Sequence, residues 1–112
     1  FVPRLILLTS KIEELTMQIN ISGHHVEVTD PMYQYTHDKL SRLKRHFDRI
    51  LSIDVILEIE KLQQNANATL FVPGEKFHAH SSTEDMYKTV DLLVDKLDRQ
   101  IAKHKQKQRE TH

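Results

Sequence analysis

The sequence predicts an α+β fold in the order β-α-β-β-β-α, with a four-stranded sheet and both helices packed on one of its faces. Three observations predict it. From Leu51 to Ser82, three successive segments alternate apolar and polar residues and are divided by turn signals, the mark of half-buried antiparallel strands. Two other segments place their apolar residues at helical spacing. A further alternating stretch precedes the first of these helices, so the helices have one sheet to cover. A chain of 112 residues is long enough for one domain with a real core and too short for two.

The elements follow in order. Gln18-Ile19-Asn20-Ile21-Ser22 alternates as a strand; Gly23, His24 and His25 interrupt it, and Val26 and Val28 resume it. Thr29-Asp30-Pro31 is a helix start, a capping side chain with Pro at the first helical position. The helix is expected to reach about Phe47, burying Met32, Tyr33, Leu40, Leu43 and Phe47. Leu51 to Lys61 turns Ile53, Val55, Leu57 and Ile59 inward and Asp54, Glu58 and Glu60 outward. Asn65 to Val72 does the same with Ala66, Ala68, Leu70 and Val72. Val72-Pro73-Gly74-Glu75 is a tight turn, since Pro fixes φ at the second position and Gly accepts positive φ at the third. Lys76 to Ser82 returns with Phe77, Ala79 and Ser81 inward. Ser82-Thr83-Glu84-Asp85 resembles a capping box, in the shorter Asp form, opening a last helix from Asp85 to Lys107. The polar residues after it are expected to fray, leaving 109–112 as a flexible tail.

That last helix carries three rows of different chemistry. At 100° per residue, Met86, Val90, Leu93, Val94, Leu97 and Ile101 share an arc of roughly 100°, the width of a core-facing stripe. Lys88, Lys96, Arg99, Lys103 and Lys107 share a second arc of roughly 100°, and Asp91, Asp95 and Asp98 lie between the two. A helix that needs only solubility would interleave its charges to gain i,i+4 support. Sorted cations point instead to a polyanion, and phosphate is the commonest. The competing reading is a plain solvated face. On the first helix Arg42, Arg45 and Arg49 recur at i, i+3 and i+7 with Lys39 beside them.

Net charge is zero, with 16 Lys+Arg against 16 Asp+Glu, so any case for a polyanion rests on distribution. Lys39 to Arg49 holds five cations and one anion, and Tyr87 to His112 seven cations and four anions. The intervening Leu51 to Thr83 holds two cations and four anions. The chain has no cysteine, which excludes a disulfide framework and a thiolate metal site and fits a reducing compartment. No apolar run approaches a membrane span. Residues 1–16 do not share the pattern: they lack an initiator Met, and Leu5 to Leu8 is too short for a signal peptide's apolar region. Glu13-Glu14, two codons before Met17, can be encoded as a purine-rich ribosome-binding site. Residues 1–16 are therefore expected to be a non-native leader, or else a disordered N-terminal arm.

Other sites are expected to be absent. Eight histidines raise the question of metal, but no carboxylate or thiolate partners stand at recognisable spacing around His24-His25 or around His78 and His80, which read as surface residues. Ser81 and Ser82 have no glycine elbow, and two glycines cannot build a phosphate loop. Neither an enzyme nor a cofactor is expected. Tyr33 and Tyr87 could stack on bases, though each lies near an apolar stripe and packing is the favoured role.

Asp85-Met86-Tyr87, continuing through Asp91-Leu92-Leu93-Val94-Asp95-Lys96-Leu97-Asp98-Arg99-Gln100 to Lys103-His104-Lys105, closely resembles the ribosome hibernation promoting factor family, also called ribosome-associated inhibitor or sigma-54 modulation protein. The likeness extends to Met17-Gln18-Ile19-Asn20-Ile21-Ser22-Gly23, Val26-Glu27-Val28-Thr29 and His46-Phe47-Asp48-Arg49-Ile50. The resemblance implies a folded domain over 17–108, similar in layout to double-stranded-RNA-binding domains, which read RNA by shape and backbone. It implies a cytoplasmic, monomeric protein that binds the small ribosomal subunit in the messenger and transfer-RNA channel in stationary phase. The short form, ending in Lys103, Lys105, Lys107 and Arg109, resembles the branch that acts with ribosome modulation factor to pair ribosomes into inactive dimers. The candidate RNA contacts are Lys39, Arg42, Arg45, Arg49, Lys88, Lys96, Arg99, Lys103, Lys105 and Lys107. Two alternatives stand beside this: a general double-stranded-RNA-binding module, and a protein-interaction adaptor modulating transcription through the exposed sheet.

Overall fold

The computed structural model describes residues 18–110 other than Asp48, with side chains as far as Lys107. Residues 1–16 and Met17 lie outside the described residues, as does the end of the expected tail. The elements are β1 (Gln18–His24), α1 (Asp30–Ser41), a 3-10 turn (Arg42–Arg45), β2 (Ser52–Glu60), β3 (Gln63–Val72), β4 (Glu75–Thr83) and α2 (Met86–Glu110).

The sheet runs in the order β1-β2-β3-β4. β1 and β2 are parallel, as strands joined through a crossover helix can be, and β2, β3 and β4 form the antiparallel meander. The tight turn falls where expected, with Val72 paired to Glu75 and Gly74 at φ +80. Alternation sorts the residues by face. Ile53, Val55, Leu57, Ala66, Ala68, Leu70, Val72 and Ser81 are buried, and Phe77 and Ala79 half-buried, all under the helices. Leu40 and Leu43 close the core from the first helical segment, and Met86, Val90, Leu93, Leu97 and Ile101 from α2.

Helix ends differ from the sequence reading in instructive ways. Thr29 caps α1 as expected, its hydroxyl accepting from the Met32 N–H at 3.3 Å. The helix stops at Ser41, however, and tightens into the 3-10 turn instead of reaching Phe47. Residues three apart eclipse each other in a 3-10 turn, so Leu40, Leu43 and Phe47 stay inward while the chain turns toward β2. Tyr33 was expected inside and is 41% exposed; Thr36, fully buried, packs in its place and donates to the Met32 carbonyl at 2.8 Å. Val26 and Val28 do not resume β1. They sit in the bend after His24, half-buried against the core.

At α2 the cap is Asp85, not Ser82. Its carboxylate accepts from the Tyr87 N–H at 3.0 Å and its carbonyl from the Thr89 N–H at 2.9 Å. Ser82 instead donates to Gln63 on the open sheet face. Thr89, polar and fully buried, lies beside the apolar row. It is tolerated because its hydroxyl donates to the Gln64 carbonyl at 2.8 Å and its carbonyl accepts from Ser81 at 2.6 Å. The helix then continues to Glu110, past the Lys107 limit expected of it.

Candidate nucleic-acid interface

The packing of α2 decides where each of its rows points. With the apolar row on the sheet, the acidic row faces α1 and the 3-10 turn. Tyr35 Oη donates to Asp91 Oδ1 at 2.7 Å, Lys39 Nζ lies 3.4 Å from the same oxygen, and His46 Nδ1 meets Asp98 Oδ1. The hydrogen bond to Asp91, followed by burial, raises the Tyr35 phenol above its ordinary pKa. Lys39 also stands 5.4 Å over the Tyr35 ring. Lys39, Arg42, Leu43, His46, Asp91 and Asp98 line a shallow cleft of about 230 Å³ between the two segments. Asp91 and Asp98 therefore hold side chains of α1 and the turn after it, while Asp95 pairs with Arg99 within α2.

The basic row lies on the opposite flank of α2, along β4. β4 is an edge strand, and its outward carbonyls need partners. Lys96 Nζ donates to the His80 carbonyl, and Gln100 Nε2 to the His78 carbonyl at 2.7 Å. Lys96 is thus a cover for the sheet edge as well as a cation. Further along, Lys103 and Lys107 flank a hollow of about 170 Å³ with Glu75, Phe77 and His104. His104 is held between the ring edges of Phe47 and Phe77, with centroids at 5.5 and 5.3 Å, and its Nδ1 lies 3.2 Å from Glu75 Oε2.

The ten cations read from the sequence therefore divide. Lys39 and Lys105 are half-buried and held, Lys39 by Asp91 and Lys105 by the His46 carbonyl at 2.5 Å. Lys96 is exposed but bonded to β4, and Arg99 pairs at 2.7 Å with Asp95 one turn earlier while its side chain stays 77% exposed. Arg42, Arg45, Arg49, Lys88 and Lys103 are exposed, with no ion pair to another described residue, and Lys107 is exposed too. Arg42 and Arg45 stand on the 3-10 turn and Arg49 beyond it, not along the first helix as expected, because α1 ends at Ser41. The acidic row of α2 faces α1 and this turn. The candidate cations are therefore two separate groups and not one sheet of charge.

Tyr87 packs edge-on against Tyr35, with centroids 4.8 Å apart, yet remains 41% exposed. Sequence reasoning missed Tyr35, which organises this corner; its i+4 spacing to Lys39 was the available signal. On the open face of the sheet, His24, His25 and Glu58 come together, a cluster whose signal lies in the pairing of β1 with β2. There the His24 hydrogen bond holds the Glu58 carboxyl below its usual value.

Known proteins share this fold and much of this sequence. Residues 19–109 match the family model described as Sigma 54 modulation protein / S30EA ribosomal protein. A ribosome hibernation promoting factor from Azotobacter vinelandii is 56% identical over 92 residues, covering 82% of this chain and 86% of that protein. The protein of that name from Escherichia coli strain K12 is 43% identical over 91 residues, covering 81% and 96%. Among solved structures, a ribosomal subunit interface protein from Coxiella burnetii superposes with a TM-score of 0.76 at 37% identity, over 80% of this chain and 98% of that one. The N-terminal domain of Thermus thermophilus Protein Y gives 0.73 at 28% identity, over 79% and 99%. The family match runs from β1 into the last turn of α2 and takes in every candidate cation: the chain belongs to the Sigma 54 modulation protein / S30EA ribosomal protein family.

Proposed function

We propose that this protein is a ribosome hibernation factor. It binds the small ribosomal subunit in the channel used by messenger and transfer RNA, inhibits translation in stationary phase, and acts with ribosome modulation factor to hold ribosomes in inactive dimers. The observation that carries this reading is its likeness, at 43 to 56% identity over nearly their whole length, to relatives named ribosome hibernation promoting factor.

The geometry suits inhibition by occlusion. Occlusion needs no reaction chemistry, only a compact body and cations that meet ribosomal RNA phosphates. From Lys88 to Lys103 the basic row extends along about 22 Å of helix, at 1.5 Å per residue, enough to follow several phosphates. Arg42 and Arg45 on the 3-10 turn, with Arg49 beyond it, supply a second group. Such contacts position a protein without reading sequence, so binding follows the shape of folded RNA. Asp54 and Glu60 stand on the exposed face of the sheet, away from the α2 row, and turn away from RNA.

Sedimentation of stationary-phase lysate through sucrose tests the reading. The protein is expected in the small-subunit and ribosome-dimer fractions, and the dimer peak should shrink when either it or ribosome modulation factor is absent. A protein that stays at the top of the gradient, or follows any long duplex RNA equally well, overturns it.

A further inference from the structure

The end of β1 gathers three metal-ligating side chains on the sheet face that the helices leave open. The parallel register sets His24 beside Glu58, and His24 Nδ1 lies 2.6 Å from Glu58 Oε2. Neighbouring residues of an extended strand point to opposite faces, so His25 would ordinarily turn away. It turns back because the chain takes φ +60 there, a conformation uncommon outside glycine. Gly23 makes the fold-back possible: a Cβ at this position would stand 2.3 Å from the Val26 carbonyl oxygen. The two imidazole rings end with centroids 3.9 Å apart. One ligand atom from each of His24, His25 and Glu58 lies within 4.8 Å of the other two, the one such cluster among the described residues.

We propose that His24, His25 and Glu58 form a binding site for a divalent transition-metal ion of the zinc class. Two imidazole nitrogens and one carboxylate oxygen are a donor set that zinc accepts, with a fourth position left to water. Magnesium and calcium favour oxygen ligands throughout and fit it poorly. Ligand atoms around tetrahedral zinc lie about 3.3 Å apart, given bonds of about 2.0–2.1 Å, so the His24–Glu58 pair must open from 2.6 Å as the His25 ring moves in. The ion takes the place of the proton in the His24–Glu58 hydrogen bond: a neutral His24 then keeps its proton on Nε2 and coordinates through Nδ1. The bound ion ties the last residue of β1, an edge strand, to its neighbour β2 and fixes the bend that leads into α1. The site is separate from the cations of α2.

The test is titration of the untagged, chelator-stripped full chain with Zn²⁺ alone, read by calorimetry and by the imidazole resonances in NMR, with Mg²⁺ as comparison. One equivalent of Zn²⁺ should bind saturably, moving the ring signals of His24 and His25 and leaving those of His78 and His80 in place. His25→Asn removes the ligand but keeps a residue that tolerates positive φ, and Glu58→Gln keeps the shape without the charge. Each should weaken Zn²⁺ binding at least about tenfold, since even the loss of an outer-shell partner costs about 10–100-fold. Circular dichroism without zinc confirms that both variants fold, and the resonances of the unsubstituted chain locate the ion independently of either. Absence of saturable binding, shifts centred on His78 and His80, or unchanged affinity in both folded variants overturns the proposal.

Discussion

Leu97 is fully buried in the middle of the apolar row of α2, between Leu93 and Ile101 and over the inner face of β3 and β4. Its truncation leaves a cavity that flanking helix and sheet can fill only in part, so Leu97→Ala should cost about 2–5 kcal/mol in chemical denaturation. A loss below about 0.5 kcal/mol would mean that α2 is not docked as described. Tyr35 is a smaller case with a pH signature. Because its hydrogen bond to Asp91 raises the phenol's pKa above 10.0, the folded state holds this proton more tightly than the unfolded chain. The stabilisation is fully present below the unfolded value and lost as pH rises through the raised one. Tyr35→Phe should therefore reduce stability at neutral pH by up to about 1 kcal/mol, the contact being partly exposed. It should also flatten the alkaline limb of a urea-midpoint profile. An unaltered alkaline limb would assign that limb to other groups. The spacing of Tyr35 to Lys39 was legible in the sequence, but its bond to Asp91 was not, because the two lie 56 residues apart on different helices.

At the scale of elements, α2 uses residues of one charge for two purposes. Lys88, Arg99 and Lys103 point to solvent, whereas Lys96 spans to the β4 edge. Changing the first three together to Gln keeps good helix formers, so the fold should survive. Small-subunit affinity should fall, and the slope of log affinity against log salt should flatten by about 0.7–0.9 for each phosphate that the variant no longer neutralises. An unchanged affinity and slope would remove α2 from the RNA interface. Lys96→Met isolates the edge-covering purpose. It keeps the aliphatic stem, removes the donor to His80, and should lower thermal stability by more than it alters the salt slope. Helical and strand periodicity made these elements legible because each buries one side only, as Ile53, Val55 and Leu57 show on β2. The ends were less legible. No Gly or Pro marks the change from α1 to the 3-10 turn at Arg42, which packing of Leu43 and Phe47 imposes. Three periodic rows were visible on α2, but which flank faced α1 depended on the placement of the sheet. That placement turned Asp91 and Asp98 into partners for Lys39 and His46.

For the whole molecule, the question is whether the protein fills a channel or merely adheres to RNA. A protein held by phosphates alone would bind many sites on the ribosome with similar affinity and would tolerate transfer RNA beside it. One that fills the messenger and transfer-RNA channel must exclude a transfer RNA held there by messenger, because both require the same space. The exclusion is reciprocal, since a coupling between two ligands acts equally in both directions. Labelled protein titrated onto purified small subunits should then show an apparent dissociation constant that rises with each addition of messenger-bound transfer RNA. In the mirror experiment, added protein should displace transfer RNA to the same degree. The Lys88, Arg99 and Lys103 triple variant should lose both effects together, as affinity and exclusion come from one site. Simultaneous binding of protein and transfer RNA at full affinity would place the protein elsewhere on the ribosome, and the cations would then be general electrostatic anchors without an occluding role.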